Sequence, residues 1–267
     1  MNRIFFPILF ILLLHAQAWS APDGALESRY QNLKTAFEKG DFEQAKTLGE
    51  KLIEDHHLSP ELFQILGHTY YRLGDYGRAT LWYKRASIIP PPSIEIRQNL
   101  AHIHEKTGNL SFPSNSLGDQ ISSKLSRTHW LVIAVTGAWI FLFSLVLTLF
   151  FTRFAAIRSW LILVQVLALL VTIASGLSWR WHPSDQRINP LAVVTAKDVI
   201  VYASATVTSG SVIKLPPGSE VRRLEDRGDW SYVEVQTEQQ EARRGWIKNS
   251  TVVPLWPYGT SYLDTGL

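Results

Sequence analysis

The stretch 67-GHTYYRLGDYGRAT-80 carries small residues where a helix usually has bulky ones, and a Gly-Asp pair lies in its middle. Large and small residues continue the pattern at fixed steps on both sides: Phe63, Leu66, Tyr83, Ala86 and Pro91. Gly67 and Ala79 are small enough to let two antiparallel helices approach closely, and Gly74 can end the first helix in a left-handed conformation. The stretch therefore predicts two packed helices with a turn at Gly74.

The pattern recurs at equal intervals along the chain, because the Gly-Asp pair at Gly74 is preceded by one at Gly40 and followed by Gly-Asn at Gly108. The interval of about 34 residues and the residue types resemble the tetratricopeptide repeat, a helix–turn–helix unit of that length. The resemblance implies an all-α solenoid of about two and a half repeats over residues 26–109. The first unit is degenerate, and the third ends after one helix, which would cap the array.

The repeat register predicts which side chains line the concave face of this solenoid. Matching positions of the second and third units carry polar and aromatic residues: Glu61, Gln64, His68, Tyr71, Glu95, Gln98, His102 and Glu105. Such a ladder on a curved helical surface suits the binding of an extended peptide or a partner helix. The alternative is that these side chains form only a solvated helix face.

Three apolar segments indicate a membrane protein. Residues 1–20 combine a short charged head, an apolar run and small residues for cleavage, which predicts a secretory signal peptide; an uncleaved anchor is the alternative. The segments 130–151 and 159–179 contain no charged residue, and each is long enough to cross about 30 Å of hydrocarbon. We predict a two-helix transmembrane hairpin, with residues 152–158 as a cytoplasmic loop.

Small residues predict the seam between the two spans, and they form two ladders at helical spacing: Ala134 and Ala138, then Ala168, Thr172 and Gly176. Gln165 is the only strongly polar side chain in either span. We interpret this amide as a hydrogen-bonding contact between the helices rather than as part of a transport site, because transport sites usually use ionisable groups.

Residues 110–128, which precede the hairpin, contain six serines and predict a flexible linker.

The pattern changes again after the hairpin. From residue 191, short segments rich in Val, Ile, Tyr and Trp alternate with turn motifs, which predicts a small antiparallel barrel over residues 191–254. The order of the motifs, with Gly-Asp-Trp at 228–230 and Gly-Trp-Ile at 245–247, resembles the bacterial SH3 domain. Residues 255–267 are predicted to form a tail.

Two aromatic residues of this barrel, Tyr202 and Trp230, are candidate ligand contacts. The alternative for Trp230 is core packing, because large aromatic side chains often fill the interior of so small a barrel. We expect core packing for Trp246. The chain lacks the acidic, tyrosine-rich loop of eukaryotic SH3 domains, so recognition of a proline-rich ligand is not expected.

Composition and motifs argue against several functions. A net charge of +3 and the lack of a basic stripe interleaved with aromatics exclude nucleic acid as an expected partner. The chain has no cysteine, and its paired histidines, such as His102 and His104, are not joined by a carboxylate cluster that would complete a metal site. Phosphate-binding loops and the catalytic motifs of hydrolases are absent. We predict a protein that is not an enzyme and needs no cofactor.

The order of the four modules resembles that of the BatE family of envelope proteins from the bacterial Bat aerotolerance operon. The resemblance implies an inner-membrane scaffold with both soluble domains in the periplasm. It also implies partners among von Willebrand-type Bat proteins and a MoxR-type ATPase, and a role in stress tolerance. Two alternatives remain open: a wall-sensing module whose barrel binds peptidoglycan peptides, and an accessory subunit of a membrane enzyme.

Overall fold

The computed structural model describes residues 24–89, 93–112, 121–122, 124–150, 155–181 and 190–258. In these ranges the chain forms seven α-helices and one antiparallel sheet of seven strands. The coarse architecture expected from the sequence is thus confirmed: a helical region, two long apolar helices and a sheet region follow one another. The predicted signal peptide, residues 1–20, lies outside the described residues.

The helical region consists of five short helices, each packed against the next one in the chain. Their bounds are α1 (Gly24–Glu38), α2 (Phe42–Glu54), α3 (Pro60–Arg72), α4 (Tyr76–Ile88) and α5 (Ile94–Thr107). Very short turns join α1 to α2 and α3 to α4, so each of these pairs forms an antiparallel hairpin.

The recurring Gly-Asp pair has a local cause in the backbone. Gly40 and Gly74 both have positive φ angles, of 80° and 78°, which only glycine adopts without steric cost. The aspartate that follows is the N-cap of the next helix. Asp41 accepts a hydrogen bond from the Gln44 amide, and Asp75 accepts one from the Arg78 amide. One dipeptide therefore ends the first helix of each pair and begins the second.

The small residue at position 67 is needed for close helix packing. A Cβ atom placed on Gly67 would lie only 2.6 Å from Cδ1 of Tyr83, whose side chain is 1% exposed. Tyr83 packs in one core with the large buried residues of α3, Phe63 and Tyr70. The close approach predicted between the helices on either side of Gly74 is therefore confirmed.

Two long helices, α6 (Arg127–Phe150) and α7 (Ala155–Trp181), pack against each other along their length. Gln165 Nε2 donates a hydrogen bond to Thr148 Oγ1 across the pair at 2.7 Å, in line with the interhelical role expected for this amide. The seam differs from the prediction in one respect. The helices approach closely at Gly137, since a Cβ there would lie 2.6 Å from Thr172 Oγ1, whereas the space beside Gly176 is open.

The sheet region contains strands in the order β3-β2-β6-β5-β4-β1-β7. The strands are β1 (Leu191–Val194), β2 (Val199–Tyr202), β3 (Ser211–Leu215), β4 (Glu220–Arg227), β5 (Trp230–Gln236), β6 (Ala242–Lys248) and β7 (Val252–Pro254). Alternate residues of β5 are buried: Ser231, Val233 and Val235. Aliphatic side chains from the six other strands complete this core.

The sheet region is docked on the helical region, mainly on α4. Leu81 of α4 packs with Val193 and Leu255 in a small cluster of its own. Gly77 leaves no room for a side chain, because a Cβ there would lie 2.7 Å from the carbonyl oxygen of Thr195. A salt bridge of 2.7 Å joins Lys84 Nζ to Glu220 Oε1, and Glu220 is buried. The two regions therefore form one packed unit.

The first residues of two predicted segments, the linker and the tail, take part in this packing. The predicted flexible linker starts at Leu110, but the Glu220 amide donates to the Leu110 carbonyl at 2.7 Å, and the Phe112 amide donates to Glu220 Oε2 at 3.0 Å. The predicted tail starts at Leu255, but Leu255 and Trp256 are each 4% exposed. Backbone hydrogen bonds hold residues 110–112 in place, and apolar burial holds Leu255 and Trp256.

Candidate binding surfaces

The predicted groove residues lie on α3 and α5, whereas the sheet region contacts α4 and residues 109–112. Five of the eight predicted residues are exposed: Glu61, Glu95, Gln98, His102 and Glu105. The other three, on α3, are half-buried: Gln64, His68 and Tyr71. The structure joins five of the eight into two hydrogen-bonded groups, and the remaining three stay outside them.

The first group is centred on His68. Its Nδ1 lies 2.8 Å from the hydroxyl of Tyr83, and its Nε2 lies 3.3 Å from Oε1 of Glu95. The amide Nε2 of Gln64 is 3.5 Å from the same ring nitrogen. A neutral imidazole satisfies the two shorter contacts, because Tyr83 can donate to Nδ1 while Nε2–H donates to Glu95.

The position of His68 corrects one expectation, namely that its side chain faces outward like that of His102. Burial lowers the pKa of His68, and the nearby carboxylate of Glu95 opposes that shift. The ring also lies 6.0 Å from that of Phe37 and makes an edge contact with Tyr83. His68 therefore belongs to the packing between helices, and replacing it would disturb its contacts with Phe37 on α1 and Tyr83 on α4.

The second group connects Tyr71 to α5. The hydroxyl of Tyr71 is 2.9 Å from Nε2 of His102, and their rings are 5.8 Å apart. The ammonium group of Lys106 lies 5.5 Å from the centre of the Tyr71 ring and 4.8 Å from that of Tyr76. A cation held over two tyrosines, next to an exposed histidine, forms a surface that can accept both aromatic and acidic groups of a peptide.

Three predicted residues join neither group. Gln98 and Glu105 are exposed on α5. Glu61 lies at the edge of a cavity of about 400 Å³, between the start of α1 and the α2–α3 turn. The lining of this cavity includes Leu26, Glu27, Tyr30, Leu52 and His57. The carboxylates of Glu61 and Glu27 add to burial in raising the pKa of Tyr30.

Sequence reasoning missed three side chains that contact the predicted residues His68 and Tyr71, and these are Phe37, Tyr83 and Lys106. Phe37 stands one repeat before Tyr71, so extending the repeat register to the first unit would have found it. Lys106 lies beside the predicted Glu105. Tyr83 is buried in the core, but its hydroxyl still reaches His68.

The candidate residues of the sheet region lie on the face opposite its core. On β5, Trp230, Tyr232 and Glu234 alternate with buried residues, and on β6 Trp246 lies between the buried Gly245 and Ile247. The expected core position of Trp246 is therefore wrong, because its side chain lies on the face opposite the core. There it contacts Tyr232, with ring centres 5.2 Å apart. The predicted pair Tyr202 and Trp230 is brought together, with ring centres 5.7 Å apart.

A cavity of about 530 Å³ adjoins Trp230, and its lining includes the loop residues Thr206 and Val207 and the ammonium-bearing Lys248. In the described part of the chain, no three acidic, histidine or cysteine side chains are placed to hold a metal ion. Comparison of the chain with models of protein families and with curated proteins finds no match.

Proposed function

We propose that this chain is a two-pass membrane adaptor that captures a partner protein in a tetratricopeptide-type groove and has no chemistry of its own. The observation that carries the proposal is the arrangement around α3 and α5. Their polar and aromatic ladder stays open to solvent while the sheet region occupies α4 instead. The regular recurrence of the Gly-Asp pair supports the assignment of the helical region to this repeat type.

The character of α6 and α7 supports the membrane part of the proposal. Both are long and apolar enough to cross a bilayer. In an 18-residue apolar stretch of each helix, only 11% of α6 and 17% of α7 is buried in the protein. A core helix of a water-soluble domain would be mostly buried. Side chains such as Phe143, Leu149 and Leu170 are more than half exposed instead, which is costly in water and favourable in lipid.

The resemblance to the BatE family suggests which partners to test: von Willebrand-type Bat proteins and a MoxR-type ATPase. We assign the sheet region to the SH3-like class, on its motif order and its antiparallel strands, as a second protein-binding module. The signal peptide predicted for residues 1–20 supports a periplasmic location of both modules, because the first span would then stop transfer and the second would return the chain outward.

Capture of a partner in the groove can be tested by photo-crosslinking in cells. A photoreactive amino acid at Gln98, which is exposed on α5, should give a discrete crosslinked product. The same amino acid at Lys51, which is exposed on α2, should not. The double variant Tyr71→Ala/His102→Ala should reduce the Gln98 product about thirtyfold, because two contact residues contribute roughly 1 kcal/mol each.

Circular dichroism of the double variant serves as the control for folding. His68 is left unchanged because it is part of the helix packing. Equal products from Gln98 and Lys51, or an undiminished Gln98 product in the double variant, would show that the ladder is a solvated face and not a binding groove.

The sidedness of the two modules can be tested with single cysteines, since the natural chain has none. Ser111→Cys and Ser204→Cys, both at exposed positions, should react in intact cells with a thiol reagent that passes only the outer membrane. Ala155→Cys should react only after the inner membrane is opened. The reverse pattern would place the helical and sheet regions in the cytoplasm.

A further inference from the structure

The outer face of the sheet combines two pairs of contacting aromatic rings with arginine and lysine side chains. We call it the outer aromatic face and define it by eight residues: Tyr202, Arg222, Arg227, Trp230, Tyr232, Arg244, Trp246 and Lys248. The cations lie close to the rings. Arg227 Cζ is 5.0 Å from the centre of the Trp246 ring, and Lys248 Nζ is 5.9 Å from that of Trp230. None of the four aromatic residues belongs to a buried core.

One end of this face holds a surplus of positive charge. Arg222 and Arg244 share a single carboxylate, Glu234, at distances of 3.0 Å and 2.7 Å. The side chain of Glu234 is only 12% exposed, whereas those of Arg222 and Arg244 are 42% and 57% exposed. The carboxylate thus orients both guanidinium groups but neutralises only one, and it leaves their outer N–H groups available to a phosphate.

The connections to the hairpin leave the sheet at this same end. Phe112 is the last described residue before the segment that leads to α6, and Arg222 Cζ lies 4.6 Å above its ring. Pro190 is the first described residue after α7, and the Arg223 amide donates to its carbonyl at 2.7 Å. Both connections therefore meet β4 at two adjacent residues.

The second connection is also short. From Trp181, the last residue of α7, to Pro190 the chain has nine steps, which reach at most about 31 Å. If α6 and α7 span the bilayer, the basic end of the outer aromatic face is kept within this distance of the headgroups. Tryptophan, tyrosine and arginine are the side chains that favour such an interface, because each combines an apolar body with a polar or charged group.

We propose that the outer aromatic face docks on the anionic phospholipid headgroups of the membrane in which α6 and α7 are embedded. This inference rests on the two-pass topology proposed above. Docking would fix the orientation of the helical and sheet regions relative to the bilayer. It would leave the groove on α3 and α5 free for a partner.

The test uses the full chain in nanodiscs, either of neutral phosphatidylcholine or with added phosphatidylglycerol, and lipids with a nitroxide on the headgroup. A fluorophore on Ala242→Cys, an exposed position on the same side of β6 as Arg244, reports on the outer aromatic face. A fluorophore on Gln98→Cys reports on the groove. We expect strong nitroxide quenching of the first probe in anionic discs only, and weak quenching of the second in both.

Variants test whether charge carries the contact. Arg222→Gln and Arg244→Gln should each weaken docking about fivefold, because a basic residue near an anionic surface contributes roughly that factor. Lys51→Gln, which removes an exposed cation from α2, should leave the quenching unchanged.

Three outcomes would overturn the inference: equal quenching of the two probes in anionic discs, no dependence on lipid charge or on the arginines, or protection of the Ala242 probe by purified peptidoglycan instead of lipid. The last would assign the face to wall material. Insertion of the chain into the discs is measured separately from quenching, by the presence or absence of the chain in the disc fraction. Its absence would overturn the two-pass topology together with the inference.

Discussion

The variant Trp256→Ala should destabilise the protein by about 3–5 kcal/mol, because it removes a large buried ring from the core of the helical region. Trp256 is 4% exposed. Its ring makes edge contacts with Phe63 at 6.0 Å and with Tyr258 at 5.4 Å. A residue that follows the last strand of the sheet therefore completes the packing of helix α3.

Urea unfolding of the full chain in detergent, followed by circular dichroism, measures this effect. Trp256→Phe should cost only about 1 kcal/mol, because it keeps an aromatic ring and the indole N–H has no hydrogen-bond partner in the described structure. The matched control is Pro257→Ala at the adjacent, exposed position. A midpoint for Trp256→Ala equal to that of the Pro257 control would mean that the segment is a tail after all.

The second large effect is expected for Arg85→Ala, at about 3 kcal/mol of lost stability, because truncation would leave two carbonyl groups without donors in a buried interface and each loss costs roughly 1–3 kcal/mol. Arg85 is 4% exposed on α4, and its guanidinium donates to the carbonyl of Leu255 at 2.9 Å and to that of Pro254 at 3.0 Å. It also lies 4.6 Å from the centre of the Trp82 ring.

Limited proteolysis of the full chain distinguishes this effect from general unfolding. In Arg85→Ala, cleavage should appear first after residue 254, where the chain leaves the sheet, while α1–α5 are still protected. Arg97→Ala, at an exposed position of α5, is the control and should change stability by less than about 0.5 kcal/mol. Identical digestion patterns for the two variants would contradict a role of Arg85 in holding the regions together.

The docking of the two regions changes what should be expected of the isolated sheet. The pattern of short strands suggests that residues 191–254 could fold alone. In the structure, however, Val193 packs with Leu81, and the carbonyl of Gly218 accepts a hydrogen bond from Nδ2 of Asn109. Excision would expose these groups to water, so experiments on this protein should use the full chain.

The sequence by itself determined the elements and their order. The regular return of the Gly-Asp pair marked the helix pairs because each repeat needs a glycine with positive φ and a cap at the same step, as Gly74 and Asp75 illustrate. Unbroken apolar runs marked α6 and α7, and the single amide Gln165 marked their contact. These signals are local, so they can be read along the chain.

Only the tertiary structure decided which elements meet and which way the side chains face. Arg85 and Leu255 are 170 residues apart, and no periodic pattern links them. Trp246 is expected in the core because large aromatic side chains often fill so small a barrel, but alternation along a strand does not reveal which face is buried. The burial of Gly245 and Ile247 decides it. His68 stands in the register of an exposed ladder, yet the bulk of Tyr83 beside Gly67 brings it into the packing between helices. Such choices depend on contacts between residues far apart in sequence, which no local pattern records.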